Sequence, residues 1–161
     1  MYQYTYNDIA EKYIDTVYRL ALSRTKSIAN AEDITQDVFL KLMQANKQFD
    51  SEEHLKAWLL RVTINCTKDL FLSSWFKKTE ALDDSHNDIP YVEEEKGDMY
   101  YAVMRLPQKY RTVIHLHYYE GYKVEEIASI IKSTPGTVKS QLHRARELLK
   151  ALYNEEVNQF G

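Results

Sequence analysis

The 161-residue sequence predicts an all-α protein: two small helical domains joined by a flexible acidic linker, the second built on a helix-turn-helix. Three observations carry that reading. Apolar residues recur at three- and four-residue spacing along several stretches, and period-2 alternation is sustained nowhere. Only four Gly and three Pro interrupt the chain, so long helices are permitted. One stretch, Glu80 to Gly97, loses the periodicity, gains acids and carries the breakers Pro90 and Gly97. The boundaries that follow are a first domain over 1–78, a linker over 79–98 and a second domain over 99–161.

The first domain reads as three helices. Ile9, Tyr13, Val17 and Leu20 share one face between about 8 and 26. Asn30 precedes Ala31-Glu32-Asp33 as a capping-box-like start, with its side chain placed to accept the amide three residues on. Ile34, Val38 and Leu42 are the buried stripe of that second helix. After Phe49-Asp50-Ser51 a third helix runs with Leu55, Leu59, Val62, Cys66 and Leu70 in phase.

The second domain opens near Met99. Pro107 suits a first helical position, where its missing N–H costs nothing. Tyr110, Val113, Ile114 and His117 line one face, and Gly121 supplies a stop. Two helices follow, at about 124–131 and 135–150, with an apolar stripe of Val124, Ile127, Ala128 and Ile131 on the first. Ser133 can cap the last helix and Pro135 fits its first turn, after which Val138, Leu142, Ala145 and Leu149 repeat at helical intervals. A helix, a short turn and a second helix with both inward faces specified is the helix-turn-helix pattern.

Charge supports the same division. The net charge is −3, which does not suggest a nucleic-acid partner until it is split along the chain. Residues 1–75 carry −1, residues 76–98 carry −5 and residues 99–161 carry +3. Within 132–150, Lys132, Lys139, Arg144, Arg146 and Lys150 face a single acid, Glu147. The acidic linker reads either as a solvated loop without a role or as a segment that resists nonspecific contact with nucleic acid. At 100° per residue, Leu142, Ala145 and Leu149 fall within about 40° of Val138, and Gly136, Ser140 and His143 lie nearly opposite. Lys139 and Arg144 flank them. Hydrogen-bonding groups in the middle with cations at the sides suit insertion into a major groove.

Other chemistry finds little support. One cysteine excludes an internal disulfide and a cysteine zinc site, and Cys66 on the buried stripe reads as packing. His115 and His117 stand two apart on a helix and point in different directions, so they make no metal pair. No phosphate-cradling glycine loop or catalytic triad appears, and no cofactor or small-molecule substrate is expected. No apolar run approaches the roughly 20 residues that span a bilayer, and no signal peptide opens the chain, so a cytoplasmic protein is expected.

Three segments then resemble a known family. Leu106-Pro107-x-x-Tyr110-Arg111, Tyr122-x-Val124-Glu125-Glu126-Ile127-Ala128 and Gly136-Thr137-Val138-Lys139-Ser140-x-Leu142-x-Arg144-Ala145-Arg146 together look like the C-terminal domain of extracytoplasmic-function (ECF) sigma factors of bacterial RNA polymerase, in the two-domain sigma-70-type family. That resemblance implies −35 promoter contacts from Lys139, Ser140, His143 and Arg144, with Thr137 and Arg146 toward phosphate. Gln141 stands where the family commonly has arginine. Ala31-Glu32-Asp33-Ile34-x-Gln36-Asp37-Val38-Phe39-Leu40-Lys41-Leu42 resembles the segment that docks on the clamp helices of core polymerase, which implies contacts from Asp33, Gln36, Asp37, Phe39 and Met43. Ala57-Trp58-Leu59-x-Arg61-Val62-x-x-Asn65 resembles the −10 recognition and melting segment. It implies a loop near Phe49 to His54 that holds a flipped base, with Asn65 nearby, and DNA contacts from Lys56, Trp58, Arg61, Asn65 and Lys68. At this spacing Trp58 fits core packing better than a stacking platform, and Arg61 fits either role. Leu70-Phe71-Leu72-Ser73-Ser74-Trp75 departs from the family, which often has an earlier basic pair there.

The implied partners are core RNA polymerase (clamp helices and flap), promoter DNA and an anti-sigma factor, often membrane-anchored. Two alternatives remain at this level. An operator-binding regulator predicts a dimer on palindromic sites but leaves the clamp-docking motif without a role. A nucleic-acid-processing enzyme needs clustered carboxylates for metal ions, and only Asp33 and Asp37 share a helix side.

Overall fold

The computed structural model describes residues 2–77 and 94–160, which belong to two units of helices, one within 1–87 and one within 88–161. Among the described residues there are seven α-helices, one π-helical turn and no strand, so the all-α expectation holds. The expected linker over 79–98 falls outside the described residues up to position 93.

In the first unit, α1 spans Tyr6–Thr25, α2 Ile28–Gln44 and α3 Glu52–Lys77. Thr5 is extended and its hydroxyl accepts the Asp8 N–H at 3.3 Å, which starts α1. Lys26, left-handed at φ 55°, closes α1 by donating its N–H to the Leu22 carbonyl. The expected face of Ile9, Tyr13, Val17 and Leu20 is buried, each such aliphatic side chain contributing about 1.5–3 kcal/mol. The start of α2 corrects the sequence reading. Ser27, not Asn30, is the cap: its hydroxyl accepts the Asn30 N–H at 3.1 Å, and Asn30 lies inside the first turn. Any short polar residue in extended backbone can cap, and Ser27 comes first in the chain.

α3 is rotated relative to the expected stripe. Leu55 and Leu59 are buried, but Val62, Cys66 and Leu70 are only partly so, and Leu60, Thr63, Ile64 and Thr67 are deeper. The helix packs against both α1 and α2, so it buries a second face that includes hydroxyls. Thr63 donates to the Leu59 carbonyl and Thr67 to that of Ile64, each at 2.7 Å, which satisfies those hydroxyls inside the helix. Arg24 of α1 is buried beside them and donates its Nε–H to Thr67 Oγ1 at 2.6 Å. Burial lowers its guanidinium to about 10, which leaves it charged at neutral pH. Burial also pushes the Cys66 thiol up, away from thiolate chemistry.

In the second unit, α4 spans Glu94–Met104, α5 Gln108–Ile114, a π-helical turn His115–Tyr119, α6 Val124–Ile131 and α7 Pro135–Phe160. Residues 94–98, read from the sequence as linker, are helical. Gly97, read as a breaker, is buried inside α4, because packing of α4 on α7 outweighs the roughly 1 kcal/mol that a mid-helix glycine costs. Pro107 is the cap of α5 with extended ψ 148°, one position ahead of the expected first helical residue. Arg111 is buried and donates to the Leu106 carbonyl at 2.6 Å, tying the end of α4 to α5. Gly121, at φ +76°, ends the π-helical turn as expected. Glu126 accepts the Lys123 N–H at 2.8 Å and opens α6, whose buried residues are Ile127, Ala128 and Ile130. The Leu-Pro-x-x-Tyr-Arg and Val-Glu-Glu-Ile-Ala motifs are in this way largely structural: they build the scaffold that holds α7.

Candidate promoter- and polymerase-facing surfaces

The surface at the start of α7 is made by local chemistry. Lys132 takes a left-handed conformation at φ 58°, and both it and Ser133 donate their N–H groups to the Ala128 carbonyl, which closes α6. Ser133 is thereby used by the helix before it. Thr134 is the residue that caps α7: its Oγ1 accepts the Thr137 N–H at 3.2 Å and donates to Thr137 Oγ1 at 2.9 Å. Pro135 then occupies the first helical position. Val138, Leu142 and Ala145 are buried, and this registers the outward face.

That face carries the expected side chains. Lys139, Ser140, His143 and Arg144 are all exposed. Thr137 is exposed and tied to Thr134. A Cβ added at Gly136 would meet nothing within 4 Å, so the protein itself does not require glycine there. Glu147 stands beside the cations, 3.6 Å from His143 Nε2 and 3.9 Å from Arg144 Nη1. It places one negative charge at the edge of a basic face. Arg146 is exposed as well; its Nε donates to the Tyr118 hydroxyl at 2.7 Å and its guanidinium lies over that ring at 5.7 Å. At 80° from Val138 it points along the side of α7, where it braces the helix. An open cleft of about 760 Å³ borders the face and adds Lys109 and Tyr110 of α5 to Thr134, Gly136, Ser140 and Arg144. Sequence reading missed these two α5 residues, although Tyr110 belongs to a quoted motif. No short-range pattern brings α5 beside α7.

On α2, Asp33, Gln36 and Asp37 are exposed together, as their spacing predicts, and Met43, implied by the resemblance, is exposed too. Phe39 is a correction. It is 5% exposed and packed in the core with Val38 and Leu42, so it holds α2 in place and faces no partner. Its position four residues after Thr35 and eight after Ala31, both buried, is the signal that places it inside. Leu40 is the residue that was missed: 49% exposed, it joins Met43 at 60% to give the acidic stripe an apolar centre.

On α3, Arg61, Asn65 and Lys68 follow one another at four and three residues on a single side, with Asn65 and Lys68 exposed and Arg61 half-buried. Leu72 extends that side and is 61% exposed, in the segment that departs from the family. Trp58 is partly buried against the core, its ring edge-on to Phe49 at 5.6 Å, which favours the packing role. Lys56, nine residues before Asn65, lies about 180° around the helix from it and is half-buried. The loop is also corrected. It ends at Ser51, whose hydroxyl accepts the His54 N–H at 3.1 Å, and His54 belongs to α3. Asn65 stands eleven residues after His54 on the same helix.

Comparison with known proteins agrees with this anatomy. The family Sigma-70 region 2 matches residues 9–77, and Sigma-70, region 4 matches residues 96–149. The ECF RNA polymerase sigma factor SigW of Bacillus subtilis is 30% identical over 92% of this chain and 88% of its own length. SigM of the same organism, also an ECF RNA polymerase sigma factor, is 31% identical over 96% of this chain and 98% of its own. Two solved structures share the fold. The sigma factor RpoE in complex with the anti-sigma factor NepR from Bartonella quintana has a TM-score of 0.74, with 23% identity over 92% of this chain and 96% of that one. CnrH in complex with the cytosolic domain of CnrY has a TM-score of 0.68, with 21% identity over 93% and 88%. The α2 stripe and the outward face of α7 thus lie in sigma region 2 and region 4 respectively, and the chain belongs to the ECF sigma factors, which direct promoter-specific initiation of transcription by RNA polymerase.

Proposed function

We propose a division of labour between the units, with 1–78 docking on core polymerase and serving the −10 element, 79–98 as connector and 99–161 reading the −35 element. The observation that carries it is the start of α7, where capping by Thr134 and burial of Val138, Leu142 and Ala145 leave Lys139, Ser140, His143 and Arg144 facing out together. Such a helix end suits the major groove, with Ser140 and His143 toward base edges and Lys139 and Arg144 toward phosphates. Asp33, Gln36, Asp37, Leu40 and Met43 form the polymerase-docking stripe, and Arg61, Asn65 and Lys68 form the −10 side of α3. The protein acts in the cytoplasm as a binding factor, with no catalysis or cofactor of its own. Restraint by an anti-sigma factor, often membrane-anchored in this family, is supported by the two solved relatives held in complexes with CnrY and NepR. No helix among the described residues is long and apolar enough to cross a membrane.

Run-off transcription with purified core polymerase and a genomic promoter library tests this reading. Start sites that need both proteins, and that vanish with Asp37→Lys or Arg144→Ala, are the expected result. Tight binding of this protein alone to palindromic DNA, with start sites unchanged, would instead favour an independent regulator.

A further inference from the structure

The loop between α2 and α3 exposes Asn46, Lys47, Gln48 and Asp50 and buries Phe49 completely. A single plug therefore decides how its polar residues are presented. Two partners of that plug come from α3: His54 at 5.3 Å and Trp58 at 5.6 Å, both edge-on. The others come from the first residues of the chain. The Tyr4 ring packs on Phe49 at 6.0 Å, and Tyr2 stacks on Tyr4 at 6.0 Å with planes 14° apart. The Tyr2 N–H donates to the Phe49 carbonyl at 2.9 Å. The Tyr2 hydroxyl donates to Glu52 at 3.0 Å, and Lys12 Nζ stands 2.7 Å from the same carboxylate. The N-terminal segment thus grips the loop at its plug and at the first residue of α3.

None of the family motifs includes Tyr2 or Tyr4. We propose that they are positioning residues: a strap that holds the promoter-facing loop in the shape needed to capture an unstacked −10 base. The proposal rests on assigning this loop and α3 to the −10 element. Taking a base out of the stack costs free energy, and a loop that must also be ordered adds an entropic cost to the same step. A loop already held adds none. The strap therefore acts on promoter opening and leaves polymerase docking and −35 contacts unchanged.

The test uses the full chain carrying Tyr2→Ala and Tyr4→Ala, assembled with core polymerase on a promoter found by run-off transcription. Permanganate reactivity of the −10 thymines reports opening, on a duplex and on the same promoter with a pre-opened mismatch across −10. Opening of the duplex is expected to fall about tenfold, with transcription from the pre-opened template within about twofold of wild type. Tyr4→Phe, which keeps the ring on Phe49, should open the duplex normally. A parallel fall on both templates reduces the strap to a folding element and overturns the proposal, as does no fall on either. Asn65→Ala and Lys68→Ala separate the strap from the −10 assignment of α3. If they impair duplex opening and the tyrosine variant does not, the strap alone is wrong. If all three variants open normally, the −10 assignment fails and the strap with it.

Discussion

The start of α7 and the loop before α3 both present short runs of exposed polar residues, but they are held by opposite means. The α7 face is set within fourteen residues: a left-handed Lys132, a Thr134 cap, a proline and a three-four apolar repeat. The loop is set by Phe49, whose partners Tyr4 and Trp58 lie 45 positions before it and nine after it in the chain. Locally built surfaces tolerate change elsewhere, because their geometry is closed by neighbours. A surface built on distant contacts inherits the stability of its core, and the same substitution chemistry therefore has different reach in the two places.

Truncating the plug should give the largest effect. Phe49→Ala removes a fully buried ring and should destabilise the first unit by about 3–5 kcal/mol, seen as a lower urea midpoint. Helical signal from the second unit should persist past that transition, since that unit buries a core of its own. A single unfolding step for both units would break the comparison.

On the α7 side, Arg144→Ala should weaken binding to a −35 duplex by about 1–3 kcal/mol and lessen its dependence on salt by roughly one phosphate contact, with no change in melting temperature. Fluorescence anisotropy over a salt series reads both quantities. A loss of folding in this variant would show that the face depends on tertiary support after all.

Glu147→Gln sharpens the same point from the other direction. Its carboxylate lies near His143 and Arg144 and would face DNA phosphate, so its removal should tighten −35 binding a few-fold, under about 1 kcal/mol. Weaker binding would mean that Glu147 aligns the cations.

The smallest effect concerns acid. Hydrogen bonds from Lys12 and Tyr2 hold the Glu52 carboxyl below its ordinary value. The unfolded chain then binds that proton more readily than the folded one. Its contribution is present above the ordinary carboxylate range and is lost as pH falls through the lowered folded value. Urea midpoints from neutral pH down to about 4 should fall slightly more for wild type than for Glu52→Gln. Equal slopes would remove Glu52 from the strap.

Most of the helices and the helix-turn-helix were legible in the sequence, because a 3.6-residue period, a left-handed turn and a capping hydroxyl are properties of neighbouring residues. Errors of one to three residues at Asn30, Pro107 and Ser133 arose where several short polar or imino groups could serve the same end, and hydrogen bonds chose among them. The candidate site split along the same line. Lys139, Ser140, His143 and Arg144 were found by angle alone, since the helix and its buried stripe settle their direction. Phe39 went to the core and Leu40 to the surface because α2 buries a face wide enough to take in residues beside its central stripe. Lys56 lies across α3 from Asn65, and Arg146 bonds to Tyr118, 28 residues earlier.

By itself, then, the sequence determined the class, the family and the outward face of α7, all of which rest on short-range order. Only the tertiary structure decided which aromatic rings are plugs, which hydroxyls are buried on α3 and what grips the loop before it. Those outcomes depend on contacts between residues tens of positions apart, and no local period encodes which distant ring fills a given gap.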